Sequence, residues 1–272
     1  MMGDVLNNGN VITSGSHGID VQYLYEIGYD MSDNATCKMG DIEFNYNVIN
    51  SSDHGIYIYE MYDIGSYLDD NATCIIGDIE FNYNVINSSS DGIYVDDYIQ
   101  YFGAYLDGNA SFVMGNLTFN HNTILNAFYG IYVYQIDYFG YEMNSDTSGN
   151  TSFVMGSLEF NYNDINSSDI GIYIEYYVFY DCATYMYNGS SFVMGSITFN
   201  DNTINSGSDG IYIEDWYDLG YYLYDHASCT MDNVEFCRND INATGDGMYF
   251  CYMPNYFGVY LYNNSSFVMG DI

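Results

Sequence analysis

Gly40-Asp41-Ile42-Glu43-Phe44-Asn45-Tyr46-Asn47-Val48-Ile49-Asn50, followed by Gly55-Ile56-Tyr57-Ile58, is the stretch that decides the fold, because it returns almost unchanged at Gly77 to Asn87 and Gly92 to Val95. Weaker copies begin at Gly3, Gly115, Gly156, Gly195 and Asp232, and an eighth start at Gly270 stops at Ile272. The 272 residues therefore read as one array of seven repeats of 37 to 41 residues, starting near 3, 40, 77, 115, 156, 195 and 232. Met2-Gly3-Asp4-Val5 has the phase of Met269-Gly270-Asp271-Ile272, which gives the expectation of a fragment cut from a longer array.

Each copy carries Asn-x-Ile, as in Asn47/Ile49 and Asn84/Ile86, and then a Gly that opens a short strand, as at Gly55 and Gly92. The distance from repeat start to this Gly is 15 residues in every copy, whereas the remainder varies from 22 to 26. Strict register in one part and insertions in the other is the behaviour of stacked strands joined through surface segments. Ile42-Glu43-Phe44 and Gly55-Ile56-Tyr57-Ile58 alternate with period two, placing Ile42, Phe44, Ile56 and Ile58 on one face. Gly, Asn, Asp and Ser fill the spaces between strands, and Pro254 is the one proline. Strands this short are not stable alone, but stacked coils pair every backbone group with the coil above or below. The expectation is an all-β, single-stranded parallel β-helix in which each repeat is a coil and the stretch from Tyr59 to Ala72 bulges as a long loop or adds a strand. Seven repeats of about 40 residues also fit a seven-bladed β-propeller, the alternative arrangement.

Asn47-Val48-Ile49 followed by Gly55-Ile56-Tyr57-Ile58 resembles the repeat of right-handed parallel β-helix proteins of the pectate-lyase-like type, among them sugar-hydrolase repeat proteins and archaeal adhesin-like surface proteins. The resemblance spans the chain and implies a right-handed solenoid with carbohydrate-facing or adhesive roles. The chain departs from the pattern in its coil length. It also lacks the basic catalytic residue of the lyases, since Lys38 and Arg238 stand without basic neighbours.

The net charge of −35 sets the exclusions. Nucleic acid and anionic membrane surfaces need Lys and Arg to displace counterions, so neither is an expected partner. An apolar fraction of 48% excludes a disordered acidic chain, and no apolar run of spanning length occurs. Glycans, other surface proteins and end-to-end copies of the chain remain as partners.

Candidate sites follow from the ladders that stacking creates. Tyr57, Tyr94, Tyr132, Tyr173, Tyr212 and Tyr249 occupy the outward position of the Gly-Ile-Tyr strand and form a candidate binding stripe, either exposed or covered by the long segment folding back over it. Glu43 and Glu80 share an outward position in adjacent copies, and Asp69-Asp70 sits in a turn, so these four acids are the candidate Ca²⁺ ligands. No other cofactor is implied, and no copy is altered around a candidate catalytic base. Cys37 and Cys74, one coil apart, are a candidate disulfide or, alternatively, small buried apolar residues. His17 and His54 precede the strand Gly in adjacent copies, as a two-histidine metal site or as ordinary turn residues. Asn-x-Ser/Thr sequons, among them Asn50, Asn71, Asn87, Asn109, Asn150, Asn166 and Asn242, suit an exported glycoprotein. The functional expectation is a non-enzymatic extracellular adhesin, sheath or envelope component at the cell surface, with a polysaccharide-binding or polysaccharide-degrading protein as the alternative.

Overall fold

The computed structural model describes residues 2–145, 151–251 and 255–272; Asn150 and Pro254 lie outside them. The copies stack along a single axis as a parallel β-solenoid of about seven turns, not as propeller blades. Four parallel sheets run the length of the array. In the second coil they are represented by Ile42–Glu43, Val48–Ser51, Ile56–Tyr62 and Thr73–Ile76, here termed the first to fourth sheets. Every strand pairs with its equivalents one coil away, for example Ile49 with Ile86, and Phe112 with Phe153. No helix occurs among the described residues.

Three internal columns explain the register. The Asn-x-Ile isoleucines Ile49, Ile86, Ile124, Ile165 and Ile204 are buried one above another; each contributes roughly 1.5–3 kcal/mol by leaving water. Beside them Phe44, Phe81, Phe119, Phe160, Phe199 and Phe236 stack face to face with centroids 4.8–5.1 Å apart, at the strand spacing itself. The third column is polar. Asn47, Asn84, Asn122, Asn163 and Asn202 are almost wholly buried. The Nδ2 of Asn84 donates to the Asn122 side-chain oxygen at 3.1 Å and to Phe44 O at 2.8 Å, and the same Asn122 oxygen accepts the Asn84 backbone N–H at 3.0 Å. Repetition of this arrangement along the axis satisfies the bend, where backbone groups would otherwise be stranded.

The stretch from Tyr59 to Ala72 corrects the long-loop expectation and in part follows its alternative, since the third-sheet strand runs on to Tyr62 and the remainder packs inward. Met61, Ile64, Leu68 and Ala72 are fully buried, as are their counterparts Ile99, Phe102, Leu106 and Ala110. The segment is a turn-rich wall of the solenoid. Residues such as Asp63, Gly65, Tyr67 and Asp70 adopt φ values of 49–66°, and the bends they impose turn every third or fourth side chain inward. Bridges such as Met31 to Leu68 and Leu223 to Leu261 continue the stacking through it.

The glycine that opens the third sheet is required by packing, not by φ. A Cβ on Gly130 would fall well inside van der Waals contact of Gly171 O and of the Ile165 side chain, and Gly55, Gly92 and Gly171 meet the same pair of atoms in the next coil. We expect Gly130→Ala to destabilise the fold by about 1–3 kcal/mol through overpacking, measured as a fall in the urea midpoint; an unchanged midpoint would show that neighbouring coils part easily.

Candidate functional site

The corner between the first and second sheets carries an exposed ladder of rings. Tyr46, Tyr83, His121 and Tyr162 all take φ of 58–59°, a left-handed conformation that is costly away from glycine. The bend throws these side chains outward, where they stack with centroids 4.5–4.8 Å apart. Tyr46, Tyr83 and Tyr162 are 58%, 44% and 51% exposed, so the ladder is open to solvent over successive coils. Gly9 holds the equivalent place in the first coil, leaving one face of Tyr46 open. At the far end the column continues as Asp201 and Arg238, joined by Nε to Oδ1 at 2.7 Å and Nη2 to Oδ2 at 2.5 Å; Arg238 holds the Asp201 carboxyl below its ordinary range.

Alongside runs the acid column. Glu43, Glu80, Thr118, Glu159, Thr198 and Glu235 are in register. Each receives an amide N–H from the asparagine of the preceding coil. Asn8 donates to Glu43 at 2.6 Å, Asn45 to Glu80 at 2.5 Å, Asn82 to Thr118 at 2.7 Å and Asn120 to Glu159 at 2.8 Å. Burial is the largest influence on Glu80 and raises its pKa, while the Asn45 amide opposes the shift. Rings and acids together line a groove of about 450 Å³ whose walls include Glu43, Tyr46, Glu80, Tyr83, His121 and Glu159. A larger hollow of about 640 Å³ lies on the turn-rich wall among Tyr105, Asp107, Glu142, Tyr185 and Tyr187.

The expected Tyr57 stripe is in register as foreseen, Tyr57 on Tyr94, Tyr132, Tyr173, Tyr212 and Tyr249. Of the two arrangements left open, the covered one holds for all but the last coil. Tyr132 is buried and only Tyr249, in the last coil, is exposed. Acids just beyond the Gly-Ile-Tyr segment fold over the stripe: Tyr57 and Tyr94 donate to Asp96 at 2.6 and 2.9 Å, and Tyr132 donates to Glu175. Burial, then these hydrogen bonds, push the three phenols well above their usual range. The stripe is thus a half-covered internal ladder.

The two candidate calcium sites lie on different parts of the coil. Glu43 and Glu80 stand on the first sheet with asparagine amides as partners, whereas Asp69 and Asp70 are exposed in the turn before the fourth sheet, where Asp69 Oδ1 accepts the Asp70 N–H at 2.7 Å. Among the described residues the one group of three or more ligand side chains with atoms within 4.8 Å of each other is His17, Asp53 and His54. The two imidazoles stack with centroids 5.2 Å apart, and each also stacks on a tyrosine, His17 on Tyr57 at 4.6 Å and His54 on Tyr94 at 4.4 Å.

Cys37 and Cys74 are register partners, yet both thiols are free, as are Cys182, Cys229, Cys237 and Cys251. Parallel stacking aims the two side chains the same way, which disfavours the disulfide dihedral. Cys74 and Cys229 instead fill the column occupied by Phe112, Phe192 and Phe267. Burial raises the Cys74, Cys182 and Cys229 thiols. Native protein treated with Ellman's reagent is therefore expected to react first at exposed Cys237, with these three silent until denaturation; rapid reaction at Cys74 would contradict the packing.

The sequons differ by position. Asn50, Asn87, Asn166 and Asn242 are exposed on the second sheet, but Asn87 Nδ2 already donates to Asn50 at 3.1 Å and Asn242 to Asn205 at 3.3 Å. Glycans on consecutive rungs ~4.8 Å apart would collide. Asn71 is exposed in a turn, and Asn109 beside it is half-buried. No helix among the described residues is long and apolar enough to cross a membrane. No protein-family model matches the chain, and neither does any curated protein or solved structure.

The exposed ring ladder is the feature that sequence reasoning missed. Its signal was present, since Asn-Tyr-Asn recurs at 45–47, 82–84 and 161–163, but a tyrosine between two asparagines reads as turn filler until the turn is known to be left-handed.

Proposed function

We propose that this chain is a non-enzymatic structural or adhesive protein of the cell exterior, which meets its partners through the ring-and-acid groove at the first bend. The observation that carries this reading is that Tyr46, Tyr83, His121 and Tyr162 are exposed, preordered and flanked by Glu43, Glu80 and Glu159 over successive coils. A surface that repeats along an axis suits an extended or repetitive partner better than a small substrate. Turn sequons such as Asn71 support export and glycosylation, and end-to-end association would continue the same backbone ladder.

A specific observation favours neutral polysaccharide as that partner. Asparagine amides, carboxylates and tyrosine hydroxyls are the hydrogen-bonding groups sugars require, and the open face of Tyr46 offers a stacking platform. Incubation of the protein with a glycan array and a panel of soluble polysaccharides, with and without Ca²⁺, tests both parts. We expect retention of neutral glycans, loss of retention in Tyr46→Ala and Tyr83→Ala, and no new reducing ends. Release of reducing ends would replace the reading with an enzymatic one; retention unaffected by either substitution would move the contact surface elsewhere.

A further inference from the structure

We propose that His17, Asp53 and His54 form a binding site for one divalent transition-metal ion of the zinc type. The site sits in the turn between the second and third sheets, where coils one and two alone place histidine; the later coils have Asp91, Tyr129, Ile170, Asp209 and Asp246 at that position.

Three observations converge. The first is spacing. Asp53 Oδ2 lies 3.6 Å from His17 Nδ1, and Asp53 Oδ1 lies 3.5 Å from His54 Nε2. A tetrahedral ion bound at about 2.0–2.2 Å has donor-to-donor edges of roughly 3.3–3.6 Å; each of these contacts has the length of one such edge, and one donor atom from each of the three side chains lies within 4.8 Å of the other two. The second is an orphaned atom. His17 Nδ1 is buried and has no hydrogen-bond partner, although it is aimed at Asp53. Such a nitrogen is costly to leave unpaired, and a metal lone-pair acceptor would satisfy it. The third is orientation. Asp91 is buried, its Oδ1 accepts the Tyr129 N–H at 2.8 Å, and its Oδ2 stands 3.1 Å from His54 Nδ1. The Asp91 backbone N–H donates to that nitrogen at 3.3 Å, which fixes the plane of the ring and turns Nε2 toward Asp53. An ion taken at Nε2 moves the ring proton to Nδ1, where the Asp91 carboxylate stands to accept it, the arrangement that holds metal-binding histidines.

Two imidazoles and one carboxylate select zinc, copper or nickel over calcium, which takes oxygen ligands only. Asp53 keeps 43% of its side chain exposed, so the fourth position faces solvent. Stacking on Tyr57 and Tyr94 limits ring motion, so little ordering is left to bind the ion.

The test is calorimetric titration of chelator-treated protein with Zn²⁺ at about 0.5 M NaCl, which screens the diffuse acidic surface. One zinc per chain is expected. Affinity should fall tenfold or more in His17→Gln and in His54→Gln, and roughly 10- to 100-fold in Asp91→Asn, which touches no metal. Equal affinity in the parent and the His17→Gln/His54→Gln double variant would overturn the site, as would equal competition by Ca²⁺. Imidazole NMR of the unsubstituted protein gives a readout independent of mutant folding. One equivalent of zinc should move the His17 and His54 signals and leave His121 and His226 in place; uniform shifts at all four would refute the proposal.

Discussion

Asn122→Leu is expected to lower the unfolding free energy by about 3–5 kcal/mol, the largest loss from any single polar side chain on the bend. Asn122 is fully buried in the middle of the array. Its Nδ2 donates to Phe81 O at 2.8 Å and its oxygen accepts the Asn84 N–H at 3.0 Å. Leucine nearly conserves volume but strands both backbone groups away from water, and each such group costs about 1–3 kcal/mol. The loss is propagated, because the Asn84 side chain loses its partner on the same oxygen. Urea unfolding measures the effect, with Asn87→Leu as the comparison. Asn87 lies on the exposed ladder of the second sheet, bonded to Asn50, and its replacement should cost no more than about 0.5–1 kcal/mol. Equal midpoints for the two variants would mean that the buried ladder does not hold the register. Since a solenoid is coupled only through neighbouring coils, a second unfolding step in Asn122→Leu would itself be informative: it would locate a break between the two halves of the array.

Acidification from pH 8 to pH 5 is expected to stabilise this protein. Asp137 is fully buried, and burial raises its pKa from 3.8 to about 8, with Gln135 donating to one oxygen in opposition and the other oxygen unpaired. Burial and the neighbouring Asp218 raise Asp181 to about 6. Below about pH 4 both carboxyls are protonated whether the chain is folded or not, and their contribution is fully present. Between pH 4 and pH 8 the folded chain retains a proton on Asp137 that the unfolded chain has released, so stability falls as pH rises through that window. A shift of this size corresponds to an upper figure of about 6 kcal/mol, at about 1.4 kcal/mol per pH unit. Thermal melts from pH 4.5 to 8.5 should show a falling Tm, and Asp137→Asn, whose side chain stays neutral, should flatten the profile and exceed the parent at pH 8. A parent Tm that rises with pH over this range would contradict the burial of the acid. Excess negative charge acts in the same direction, so the difference between parent and variant, not the slope alone, isolates Asp137.

The free Cys37 and Cys74 thiols and the covered Tyr57 stripe show why position in a ladder is not the same as availability. Both sets stack as the repeat spacing requires. Whether cysteines bond depends on the direction of their side chains, and whether tyrosines are exposed depends on where Asp96 and Glu175 fold. Neither property is periodic. The His17, Asp53 and His54 cluster lies between these cases: the histidine pair was visible as a shared position in two copies, but the third donor and the supporting Asp91 belong to the geometry of a turn.

The sequence by itself determined the repeat, its register and its inward columns, while the stacking of the copies along one axis and not as blades was decided by the structure. A fixed separation between Asn-x-Ile and the following Gly lets only one alignment of the copies place every isoleucine, phenylalanine and buried asparagine over its equivalent. The wall from Tyr59 to Ala72 was decided by tertiary structure alone. Met61, Ile64, Leu68 and Ala72 recur every three or four residues, a spacing that by itself suits a helix face, and they become the inner face of a wall only because left-handed turns bend the chain between them. The same bends decide which aromatic rings meet solvent, because a left-handed backbone reverses the side of the chain on which a side chain emerges.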